Sequence, residues 1–165
     1  MISKIDGSCY VDLMHSGILN LEKFRSRLND LNVFPVPDGD TGTNMSLTFI
    51  NAARAVENET FNSVGEVSAA VAKATLRGAR GNSGVILSQM LSGISLGLAE
   101  CDTATASDLA AAFGVGVTKA YGAVQQPTEG TLPTVFRESV EYASSVITED
   151  SAAEDFFSGL SQMQC

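Results

Sequence analysis

Two carboxylates, Asp38 and Asp40, stand two residues apart in the run Pro35-Val36-Pro37-Asp38-Gly39-Asp40-Thr41-Gly42-Thr43-Asn44-Met45. The run holds too much Pro and Gly to be helical, and a helix-forming stretch follows it at once. Carboxylates hold hard cations such as Mg²⁺, and the unpaired N–H groups of a helix start hold phosphate. Together they point to a metal–nucleotide site. The plainer alternative is a polar turn that caps a helix, the commoner use of Asp-Gly-Asp.

Two further runs share this plan. Arg77-Gly78-Ala79-Arg80-Gly81-Asn82-Ser83-Gly84 is a Gly-rich junction that opens onto a helix, and Gln126-Pro127-Thr128-Glu129-Gly130-Thr131 is another. Arg80 suits the neutralisation of phosphate charge and equally suits a surface arginine. Asn82 and Ser83 suit phosphate donors and equally suit a helix N-cap. His15 stands alone on a helical stretch and reads as structural or solvent-facing, and the methionines read as core filler.

The elements that must position these loops are helices. Tyr10, Met14, Gly17, Leu21, Phe24, Leu28 and Leu31 alternate four and three apart, one face of a first helix that ends before Pro35 and Pro37. A second begins near Thr41 to Asn44, carries Met45, Phe49, Ala52 and Val56, and stops at Asn58-Glu59-Thr60. A third fits Val64 to Leu76 with Val64, Val67, Val71 and Ala74 inward. The fourth carries Ile86, Met90, Ile94 and Leu98, with Leu87 and Leu91 beside them, a broad apolar face that predicts a central place. A fifth runs from Ser107 to Val124, a sixth carries Leu132, Phe136, Val140, Ala143 and Ile147, and a weaker seventh covers Ala152 to Met163. No segment alternates as a strand would, so the class is all-α, with antiparallel neighbours. In an up-and-down bundle the loops joining helices one to two, three to four and five to six lie at one end, so all three runs would share a rim.

Composition narrows the partners. The 165 residues fit a single domain, are 44% hydrophobic and 18% charged, and carry a net charge of −9. That charge opposes a nucleic-acid partner and means that a bound polyphosphate would need a divalent cation beside it. Cys9, Cys101 and Cys165 are far apart and odd in number, which suits free thiols in a reducing compartment. No signal peptide opens the chain and Val85 to Leu98 is too short and polar to span a bilayer, so the expectation is a cytoplasmic protein without a membrane span.

The strings carry a resemblance. Leu31 to Met45 resembles the signature of the DhaL (DAK2-type) nucleotide-binding domain, most closely in the bacterial fatty-acid-kinase branch, and Gly78 to Gln89 is similar to the second string of that family. Glu129-Gly130-Thr131 resembles its third loop, and the likeness runs from Met1 to about residue 140. The resemblance implies an antiparallel up-and-down α-helical barrel of about eight helices, with ATP or ADP and a pair of Mg²⁺ ions at one rim. About seven helices are countable here, the family's last being absent. It implies phosphoryl transfer, to a fatty acid held by a partner protein in the fatty-acid kinases, or to a triose in the dihydroxyacetone-kinase L-type subunits. By position, Asp38 and Asp40 match the metal-holding carboxylates; Thr41, Gly42, Thr43, Asn44, Gly81, Asn82, Ser83, Gly130 and Thr131 match the nucleotide-binding loops; Arg80 is the candidate for transition-state charge.

Two departures shape the expectation. The triose kinases carry an additional Asp about five residues before the pair, where this chain has Val33, with Asn32 adjacent as a possible oxygen ligand. That favours the fatty-acid branch. The family domain also continues past this chain's end into a further helix and loop, so residues 1–165 read as one domain shortened at its C-terminus, with 150–165 a weakly anchored tail. Phe156, Phe157 and Leu160 are then expected to be exposed, or covered in a homodimer. A non-catalytic helical interaction or regulatory module remains the alternative from another class.

Overall fold

Each Gly/Pro break in the sequence becomes a helix boundary. The computed structural model describes residues 1–33, 36–126 and 128–162, so Phe34, Pro35, Pro127, Met163, Gln164 and Cys165 lie outside it. Among the described residues seven helices follow in order: α1 (Gly7–Asp30), α2 (Thr41–Val56), α3 (Val64–Gly78), α4 (Gly81–Leu98), α5 (Ala106–Gly122), α6 (Leu132–Val146) and α7 (Ala153–Gln162). Among the described residues there is no strand, only one antiparallel bridge between Ile5 and Ala104. The all-α expectation holds.

α4 is the central helix, packing against α2, α3, α5 and α6. Leu87, Met90, Leu91, Ile94 and Leu98 are all buried, as its broad apolar face requires. Its approach to α5 depends on small residues. A Cβ on Gly93 would stand 2.6 Å from the Gly116 Cα, closer than real Cβ atoms come. Gly93 faces Gly116 and Gly97 faces Ala112, so α4 and α5 run antiparallel. Gly17 against Phe49 and Asn29 against Thr43 make α1 and α2 antiparallel too. Asn44 meets Gly81 and Thr48 meets Gly84, so α2 and α4 run parallel, with their N-termini at the same end.

Three differences from the sequence reading matter. The α1 stripe is buried only at Tyr10 and Met14, while Phe24 is 39% and Leu31 65% exposed. Its second half lines an open apolar groove of about 430 Å³ with Gly17, Leu21, Phe24, Leu28, Met45 and Phe49. α4 begins at Gly81, not after Gly84, so Asn82 and Ser83 belong to its first turn. Phe156, expected to be exposed, is fully buried, and Phe157 and Leu160 are half-buried. α7 packs on α5 and α6, and the Phe156 ring meets Phe113 edge-on at 5.2 Å between centroids. The start of the chain anchors it as well: Ala153 N–H donates to the Ser3 carbonyl and Ile2 N–H to the Glu154 carboxylate.

Candidate functional site

The helix starts divide by end. At one end, α1, α3 and α5 are closed by their own N-cap side chains. Asp6 accepts from Cys9 N–H, Ser63 from Glu66 N–H, and Thr105 pairs with Asp108 in a capping box. At the other end, α2, α4 and α6 start at Asp40, Arg80 and Thr131, and none of these three side chains caps its helix. The first N–H groups of a helix have no partner within it, and together they carry a partial positive charge. α2 and α4 run parallel, and Arg137 in the second turn of α6 stands over the Tyr121 ring at the end of α5, so all three starts lie at one end of the bundle. Each is preceded or opened by a glycine at positive φ, Gly39 (66°), Gly81 (58°) and Gly130 (80°), the backbone that lets a loop turn sharply into a helix.

The first two loops are joined directly. Ser83 Oγ reaches the Thr41 carbonyl at 3.4 Å, and a side chain on Gly81 would collide with the Asn44 amide. Among the described residues, no hydrogen bond joins Glu129, Gly130 or Thr131 to the other two loops. Thr131 gives its hydroxyl to the Thr128 carbonyl at 2.7 Å, and Glu129 pairs with Arg137 at 3.1 Å. Arg80 is exposed, and its guanidinium makes no ion pair among the described residues.

Asp40 holds the N-cap position of α2 without capping it. The N–H it would take, that of Thr43, donates instead to Asn29 Oδ1 on α1 at 3.0 Å, while Asn29 Nδ2 donates to Thr43 Oγ1 at the same distance. The reading of Asp40 as a plain capping residue is therefore corrected. The Thr43 N–H is thus engaged by Asn29, and Asn44 N–H is spent on the Asp40 carbonyl at 2.8 Å. The Thr43 hydroxyl and the Asn44 side chain remain as donors. Sequence reading missed Asn29, which stands 14 residues before its partner; only the fold brings the two together. The N-cap role offered for Asn82 and Ser83 is likewise corrected, since Arg80 occupies that position.

Asp38 is exposed, Asp40 half-buried, and Asp38 Oδ1 accepts from Asn32 Nδ2 at 2.6 Å. Among the described residues no three His, Cys, Asp or Glu side chains converge as a complete metal cage. Mg²⁺ does not need one, because it takes one or two carboxylates and completes its octahedron with water and phosphate oxygens. An uncommitted Asp40, an Asp38 and the Asn32 amide oxygen fit that donor chemistry. The Cys9 and Cys101 thiols, both at the far end, are pushed upward by burial and by neighbouring carboxylates, so they are poor nucleophiles.

The DAK2 domain model matches residues 35–163, and the chain belongs to that family of dihydroxyacetone-kinase-like nucleotide-binding domains. The chain is 46% identical to an uncharacterized protein of Staphylococcus saprophyticus and 44% to protein YloV of Bacillus subtilis. The alignments cover 87% and 86% of this chain and 26% of each relative. The chain thus spans about a quarter of the length of these curated relatives. Among the described residues no helix is long and apolar enough to cross a membrane.

Proposed function

We propose that this chain is the ATP- and Mg²⁺-binding domain of a phosphotransferase of the fatty-acid-kinase type. The observation that carries the reading is the split in capping: α1, α3 and α5, which start at the far end, are closed by their own N-cap side chains, whereas at the rim α4 and α6 have no side-chain cap and α2 is capped only at Thr43, by Asn29 of α1. A polyphosphate is the ligand that three helix starts and two carboxylates suit together. Gly81, Asn82 and Ser83 would offer backbone and side-chain donors from α4, Thr41, Gly42, the Thr43 hydroxyl and the Asn44 amide from α2, and Gly130 and Thr131 from the third loop. Asp38 and Asp40, with Asn32, would hold Mg²⁺, which neutralises phosphate charge when bound. Arg80, exposed at the same end, would stabilise charge on the transferred phosphoryl group.

The acceptor in this reading is the carboxylate of a fatty acid presented by a separate protein in the cytoplasm. Its support is Val33 at the place where the triose kinases have an additional Asp. Calorimetry with ADP in the presence and absence of Mg²⁺ tests the reading. Binding should require the metal, and Asp38→Asn and Asp40→Asn should each weaken it by about tenfold or more while the helical spectrum is retained. Wild-type protein that binds no nucleotide at millimolar concentration would leave the interaction-module alternative standing.

A further inference from the structure

We propose that Thr48 is a positioning residue that sets the start of α4 against the start of α2, and so governs nucleotide affinity without touching the nucleotide. The proposal rests on the nucleotide-site reading above. Thr48 is fully buried on α2. Its hydroxyl donates to the Asn44 carbonyl at 2.7 Å, the ordinary back-bond of a helical threonine. That bond turns the oxygen's remaining acceptor capacity outward. Arg80 N–H, 32 residues away in sequence, donates to it at 3.0 Å.

One hydroxyl thus ties the backbone of the α4 cap residue to the backbone of a residue in the first turn of α2. The surroundings are shaped for it. Gly84, one turn into α4, has no side chain where a Cβ would run into Thr48 Oγ1, and Gly81 has none where one would meet Asn44. Without the bond, Arg80 N–H is left unpaired in a part-buried place, and the loop can re-register against α2. Donors that hold one polyphosphate from two helices must keep a fixed separation, so slippage in that separation appears as lost affinity. Ser46, two residues earlier on α2, is the natural control: its hydroxyl is equally buried but has no partner among the described residues.

The test is calorimetry of Mg–ADP on four proteins: wild type, Thr48→Val, Thr48→Ser and Ser46→Ala. Thr48→Val, which keeps the shape and loses the hydroxyl, should bind about tenfold more weakly. Thr48→Ser should restore affinity to within about threefold of wild type, and Ser46→Ala should match it. Wild-type affinity in Thr48→Val, failure of serine to rescue, or an equal loss in Ser46→Ala would each overturn the proposal. Wild type that binds no Mg–ADP defeats the nucleotide reading itself, a different result. Should Thr48→Val not fold, hydrogen exchange at the Arg80 amide of wild type decides: slow exchange is expected, and exchange at the rate of an open loop overturns the latch.

Discussion

Asn29 and Thr43 exchange two hydrogen bonds across the α1–α2 interface, each 3.0 Å long. Thr43 N–H faces the amide oxygen, so the amide nitrogen faces the threonine hydroxyl and leaves that hydroxyl's proton for another acceptor. A residue of one helix thereby performs the capping that the neighbouring helix's own Asp40 does not. Asn29→Ala should lower stability by about 1–2 kcal/mol, the usual loss for a missing cap. Asn29→Asp keeps an acceptor for the N–H and should lose less. Urea denaturation of the three proteins checks this, and equal losses in both variants would show that capping is not the source.

Gly81 and Gly114 should respond in opposite directions to alanine. Gly81 has φ 58° and faces the Asn44 amide, so Gly81→Ala should cost about 1–3 kcal/mol. Gly114 lies inside α5 with nothing within 4 Å of an added Cβ, so Gly114→Ala should raise stability by about 0.5–1 kcal/mol. Paired thermal melts read both signs.

Phe156→Ala tests whether α7 belongs to the core. The ring is fully buried against Phe113 and Phe157, and truncation of such a ring costs about 3–5 kcal/mol. A loss of about 0.5 kcal/mol or less, the range of an ordinary surface change, would place α7 outside the cooperative unit.

Asp108 makes one part of the stability depend on pH. Hydrogen bonds from the Thr105 backbone and side chain hold its carboxyl below the usual 3.8; burial opposes them, and Lys4 adds a smaller pull in the same direction as the bonds. With the folded value depressed, its contribution is present above the unfolded value and lost as pH falls through the folded one. Asp108→Asn should therefore be less stable at pH 7 by about 1 kcal/mol. The gap between the two proteins should close below pH 3.8. Denaturation at pH 7, 5 and 3 would show it.

Much of the fold was legible because helix periodicity and Gly/Pro breaks are local signals. Val64, Val67 and Val71, or Met90, Ile94 and Leu98, went where their spacing sent them. The second half of the α1 stripe did not, because periodicity reports a shared face and not what covers it; Phe24 and Leu28 face a groove. Phe156 failed in the other direction. A short weak helix gave no sign that Ser3 and Ile2 would bind its first turn, since those contacts span about 150 residues of sequence. At the rim, the positions of Asp38, Asp40, Gly81 and Asn82 could be read from the sequence. The partners that decide which of their neighbours are uncommitted, Asn29 and Thr48, could not, because both act across helices.

The extended residues before α1 carry a consequence for how the molecule assembles. Ile5 pairs with Ala104, Ser3 receives Ala153, and Ile2 meets Glu154. These residues have nothing to pair with until the α4–α5 turn and the beginning of α7 are in place. The α1–α2 and α4–α5 hairpins close short stretches of chain, whereas this clasp joins parts about 150 residues apart in sequence and carries the larger closure entropy. If closure comes after the helical body has packed, weakening the clasp should quicken unfolding more than it slows folding, which chevron kinetics of Ile2→Gly would read.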